Sequence, residues 1–238
     1  MAVDERVHRS GRDRRFYAWV AIAIPLIVLA GFARTYYLKV LFAGPALPGL
    51  LVHLHGLVMT SWVVLFIVQV RLIATRRTHV HRRLGVLGGV LAILVLVVGV
   101  ASAIAAAVRG GTAGPPPLQF LVVPLGDMLM FAVLVGTALY YRNRMDIHKR
   151  LMLVAAVNLL APAIARIPLH FIETGGALAF FGLTDLCLLT CVAYDTVKNR
   201  RLHPVFIWSI PLVIASQPLR LMLAGTQIWL QFATWLTR

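Results

Sequence analysis

Leu51-Val52-His53-Leu54-His55-Gly56-Leu57-Val58-Met59-Thr60-Ser61-Trp62 sets two histidines in the first turns of an apolar run that continues to about residue 70. Roughly 20 residues at 1.5 Å each cross about 30 Å of hydrocarbon. The stretch therefore reads as a membrane-spanning helix with ionisable side chains at depth, where such groups are costly and mark functional positions by default.

Six more segments of the same kind surround it, giving spans near 16–33, 50–70, 84–108, 118–140, 150–171, 177–197 and 205–224. The composition agrees: 60% of the 238 residues are hydrophobic, 13% are charged and the mean hydropathy is +0.86. Soluble domains carry about twice that charged fraction, roughly a quarter. Lipid offers the backbone no hydrogen-bond partners, and the alternation of a membrane barrel is absent, so the expected class is all-α. The chain divides into a basic tail (1–15), a seven-helix transmembrane domain (16–224) and a short interfacial helix (225–238) that carries Trp229 and Trp235. The first segment is longer than a secretory leader's core, and its flank holds Asp4, Glu5 and Asp13, so it is read as an uncleaved span.

The net charge of +15 would suit a nucleic-acid ligand, but its distribution gives another reason. Arg6, Arg9, Arg12, Arg14 and Arg15, then Arg71, Arg76, Arg77, Arg82 and Arg83, then Arg142, Arg144, Lys149 and Arg150, then Lys198, Arg200 and Arg201 all fall at one end of the bundle. Arg34, Lys39, Arg109 and Arg238 fall at the other. The positive-inside rule then places the N-terminus in the cytoplasm and the C-terminus outside, as expected for a multi-pass protein of a bacterial inner membrane. The expected partners are the bilayer, with anionic headgroups on the cytoplasmic face, and a quinone or other small-molecule ligand; nucleic acid is not among them. Cys187 and Cys191, four apart in one apolar segment, read as small hydrophobes.

Two inner-end pieces resemble each other. Thr78-His79-Val80-His81-Arg82-Arg83-Leu84-Gly85 and Asp146-Ile147-His148-Lys149-Arg150-Leu151-Met152 each put a capping residue ahead of a His-basic-basic-Leu run. The pattern suggests helix starts in the inner headgroup layer. His79, His81, His148 and His203 are accordingly read as interfacial, with a second cofactor held by His81 and His148 as the alternative. At the outer ends lie breaker-rich loops: Gly44, Pro45, Pro48 and Gly49, and Gly110, Gly111, Gly114 and Pro115–Pro117. The prolines of the fifth segment, Pro162 and Pro168, should open that helix near its outer end.

Counting depth along each span gathers the polar groups into the outer half. His55, Arg166 and Arg220 fall roughly 6–8 Å deep, and Asp127 and Asp185 about 12–14 Å, with Gln217 between and His53, His170 and Glu173 at the rim. An outward-open pocket between the second, fourth, fifth, sixth and seventh segments is the expectation. One reading pairs Asp127 and Asp185 with Arg166 and Arg220 as two ion pairs that only lock the bundle. A second makes His55, His170 and a carboxylate from Asp127, Asp185 or Glu173 the ligands of a non-haem iron, zinc or copper ion. A third holds haem b between His55 and His170, with Arg166 and Arg220 on its propionates. A fourth is a transporter using the Asp–Arg pairs. The metal or haem readings point to a membrane oxidoreductase. His53 and His55, two apart on a helix, diverge by about 200° and cannot share one pocket.

His53-Leu54-His55-Gly56, His81-Arg82-Arg83-Leu84-Gly85, Asp146-Ile147-His148-Lys149-Arg150-Leu151-Met152 and Ser216-Gln217-Pro218-Leu219-Arg220 are also where the chain, from Gly31 to Trp235, resembles a group of bacterial multi-pass membrane proteins. The resemblance implies a seven-helix fold and supplies no activity. Microbial rhodopsins need a lysine in the last helix, and the seventh segment has none. The ceramidase and adiponectin-receptor superfamily has a last-helix histidine pair for zinc, which is also missing.

Overall fold

A long apolar chain must close its own backbone hydrogen bonds in lipid, and the computed structural model shows how this one does so. It describes residues 2–44, 46–110 and 115–238, with side chains from Arg15 onward. The helices are α1 (Ala2–Phe32), α2 (Leu50–Ala74), α3 (Thr78–Arg109), α4 (Pro117–Phe120), α5 (Val122–Tyr140), α6 (Met145–Asn158), α7 (Ala161–Ile164), α8 (His170–Asn199), α9 (Pro204–Ala224) and α10 (Gln227–Leu236). A π-helical turn, Ala33–Tyr37, ends the first span. Among the described residues seven segments are long and apolar enough to cross a membrane, and they fall where the sequence puts them. Pro45, Gly111 and Gly114 of the expected outer loops lie outside the described residues.

Local chemistry explains the breaks. Pro162 has no N–H to return to the carbonyl of Asn158, and α6 ends at Asn158 before α7 restarts the span at Ala161. Within α8, Gly176 has φ 53° and ψ −132°, a backbone state that suits only glycine, so the turn from His170 to Gly175 is set off from the main helix. At 32 residues, α3 is roughly 48 Å long and extends beyond the hydrocarbon thickness at one or both ends.

The spans built on α5 and α6 contribute the most buried residues, with Phe131, Leu134, Ala138, Leu151 and Val154 enclosed almost completely. Trp62 of α2 meets Phe131 edge-on, with centroids 5.0 Å apart. Outward faces such as Trp19, Val86, Val97 and Leu178 are exposed, as lipid-facing residues should be. Close approach is bought with glycine: a Cβ at Gly31 would strike the Ala163 backbone, and one at Gly99 would strike Met128. Helix α10 docks on α4, with the Trp229 indole donating to the Leu118 carbonyl at 2.8 Å. Cys187 and Cys191 form no disulfide with each other.

Candidate functional site

Arg220 of α9 reaches across to α5. Its Nη1 donates to Asp127 Oδ1 at 2.6 Å and to the Val123 carbonyl at 3.2 Å, and Nη2 donates to Ser216 Oγ at 2.8 Å. Asp127 and Arg220 are 3% and 6% exposed, so this ion pair is buried. The guanidinium occupies the space a side chain at Gly126 would need. The second expected ion pair is not formed. Asp185 accepts instead from Gln217 Nε2 at 2.7 Å, while Arg166 donates from Nη1 to the Pro162 carbonyl at 2.7 Å and lies over the Phe32 ring at 5.0 Å.

The remaining outer-half candidates do not converge. His53 is exposed beside Tyr36, with ring centroids 6.1 Å apart. His170 and Glu173 are exposed on the turn that Gly176 sets off from α8. His55 is half-buried, and its Nδ1 is enclosed without a hydrogen-bond partner. Among the described residues no three His, Cys, Asp or Glu side chains gather closely enough to hold a metal ion. Among the described residues, one surface hollow of about 460 Å³ lies between α2 and α3 (Thr60, Ser61, Val64, Leu84) and another of about 340 Å³ lies against α10 (Gln227, Leu230, Trp235). None of the expected pocket residues lines either of them.

The basic end is more built than its sequence suggests. Arg150, expected among headgroups, is 5% exposed, and its Nε and Nη2 donate to Asp195 of α8 at 3.0 and 2.9 Å. Its Nη1 donates to the Asp146 carbonyl at 2.8 Å. Asp195, 6% exposed, is a partner that sequence reasoning missed. The signal available was a carboxylate inside the end of an apolar segment, but Lys198, three residues on in the same helix, offered a nearer partner than Arg150.

His203 is also buried rather than interfacial. Its Nδ1 accepts from the Val205 amide at 3.2 Å and caps α9, and its Nε2 faces Asp146 Oδ2 at 3.4 Å. An accepting Nδ1 requires the Nε2–H tautomer. Burial, reinforced by the Arg150 charge, lowers the His203 pKa below its ordinary value, and Asp146 and Asp195 oppose this only in part.

The starts of α3 and α6 bring His81 and His148 together, with ring centroids 6.4 Å apart and planes at 77°. His148 Nδ1–H donates to the Ala138 carbonyl at 2.8 Å, which leaves Nε2 with its lone pair. His81 Nδ1 is enclosed without a partner, as is Gln69 Oε1, while Gln69 Nε2 donates to the His81 carbonyl at 3.3 Å. Arg82 and Arg83 follow on exposed positions, as does His79 before them. No protein-family model matches the chain, and no curated protein or solved structure is similar to it.

Proposed function

We propose that this integral membrane protein is an oxidoreductase that carries electrons on a haem b held between His81 and His148. The observation that carries the reading is the closeness of the two imidazoles, 6.4 Å between centroids with their planes at 77°. Two metal–nitrogen bonds of about 2 Å, with half a ring beyond each, separate axial imidazole centroids by roughly 6 Å. The tether from His148 Nδ1 to a backbone carbonyl is the outer-shell bond that metal-bound histidines usually make.

The donor count favours haem over a bare ion. A mononuclear zinc or non-haem iron site needs three or four protein ligands, whereas a haem supplies four of its own and takes two axial donors. Arg82 and Arg83, next in the chain to His81, are cations suited to the propionates. His81 and His148 would hold the haem from both sides, and the chemistry it would supply there is electron transfer with no position left for a substrate.

Pairing His55 with His170 has less support, because His170 is exposed on the turn before Gly176. The Arg220–Asp127 and Arg150–Asp195 pairs favour a separate, structural role, each tying two spans together. The test is the haem and iron content of the detergent-purified protein, produced with haem available. Wild type, His55→Ala and His170→Ala should hold about one haem per chain, and His81→Ala and His148→Ala should lose it. Folded wild type without haem or iron would overturn the reading.

A further inference from the structure

Asp127 and Asp195 are enclosed within spans, and each faces an arginine. Asp185 of α8 differs on both counts. It is half-buried, and its partner is neutral: Gln217 Nε2 donates to Oδ1 at 2.7 Å, while Oδ2 meets no group among the described residues. The cations of the neighbouring elements are committed elsewhere. Arg220, one turn beyond Gln217 on α9, is taken by Asp127, Val123 and Ser216, and Arg150 of α6 by Asp195. Arg166, beyond α7, bonds to the Pro162 carbonyl. On α8 itself, the nearest titratable side chains in the chain are the thiols of Cys187 and Cys191 on one side and Glu173, on the exposed turn, on the other.

Position makes the missing cation matter. Asp185 lies about 14 Å along the helix from the Gly176 break and about 21 Å from the other end at Asn199. Gly182, one turn earlier on the same side, is exposed, with open space around the position a Cβ would take, and Leu186 and Leu189 are exposed to lipid. An ionised carboxylate at this depth has neither water nor a counter-charge, which is far costlier than a neutral carboxyl. The partner suits the neutral form as well as the charged one. An amide N–H donates to the carbonyl oxygen of an acid or to a carboxylate, whereas a guanidinium favours the carboxylate.

We propose that Asp185 is a proton-binding site inside the membrane, open to the bilayer on the outward face of α8. Oδ1 accepts from Gln217 and Oδ2 carries the proton, whose uptake and release leave the Gln217 bond in place. The site is independent of the haem reading. A lipid-soluble carbodiimide reports on such a group. The acid adds across one C=N bond, its proton going to nitrogen and its oxygen to carbon, and the O-acyl product rearranges to a stable N-acylurea. Nothing leaves, so the protein gains the mass of one reagent molecule.

The experiment treats the full chain in detergent at neutral pH with dicyclohexylcarbodiimide and maps the adduct by mass spectrometry. Beside it, an infrared difference spectrum is recorded between wild type and Asp185→Asn, which keeps an oxygen for Gln217 to bond. Asp185 should be labelled roughly tenfold faster or more than Asp127 or Asp195, whose arginines hold them ionised. Gln217→Lys sets a cation against the acid and should slow labelling of Asp185 by roughly the same factor. The difference spectrum should show the loss of a neutral-carboxyl C=O band. Labelling that spares Asp185, that falls equally on Asp127 and Asp195, or that is unchanged in Gln217→Lys would overturn the site. So would the loss of a carboxylate band in place of the neutral one. If Gln217→Lys does not fold, the wild-type labelling pattern and the infrared spectrum decide.

Discussion

Arg220 and Asp127 show what a buried charge demands of its neighbours. Both lie in spans, so removing one leaves the other uncompensated where water cannot reach it, at a cost of about 3–5 kcal/mol. Arg220→Leu should lower the thermal midpoint in detergent by that order of stability, and adding Asp127→Asn should recover most of it. Asp185→Asn should not, because Asp185 is held by Gln217. Gly126→Ala should destabilise the wild type, whose guanidinium fills that space, and do little in the Arg220→Leu background. The sequence made the four outer charges legible as a set, since each breaks an apolar run. It did not make their pairing legible: whether Asp127 or Asp185 meets Arg220 depends on the rotation and tilt of α5, α8 and α9. The same limit hid Asp195, 45 residues from Arg150 and on another helix.

Helices were read best where one residue type forces the outcome. Span lengths follow from bilayer thickness, and the α6–α7 break follows from the missing donor of Pro162. The Gly176 break was legible only as the edge of an apolar segment at residue 177, and it moves His170 and Glu173 to an exposed turn. At the start of α9 the reading of His203 as a solvated residue fails, because its ring replaces water as the acceptor for the Val205 amide. The cap has a pH consequence. The folded state holds His203 neutral, so its pKa is lowered, and the unfolded chain takes up the proton at about 6.5. This contribution is complete above that value and is lost as pH falls through the window below it. The facing charges set the size of the effect: Arg150 opposes protonation, while Asp146 and Asp195 favour it. Thermal melts between pH 7.5 and 5.5 should show His203→Asn, a cap that does not titrate, losing less stability than wild type.

Across the whole molecule, the spans of α5 and α6 form the centre, and the polar groups divide between its two ends. Depth counting alone gathered the outer residues into a single pocket. The folded chain distributes them among an ion pair, a Gln–Asp bond and a pre-set arginine. At the basic end, the repeated His-basic-basic-Leu pattern was visible in the chain. The meeting of its two histidines was not, because it depends on how α3 and α6 pack about α5. The most direct measurement is the optical spectrum of His148→Gly purified with haem available, recorded with and without added imidazole. Wild type should show the low-spin spectrum of a haem held by two histidines, the variant should lack it, and added imidazole should restore it. A variant whose spectrum matches wild type without imidazole would contradict His148 as a ligand and with it the proposed function.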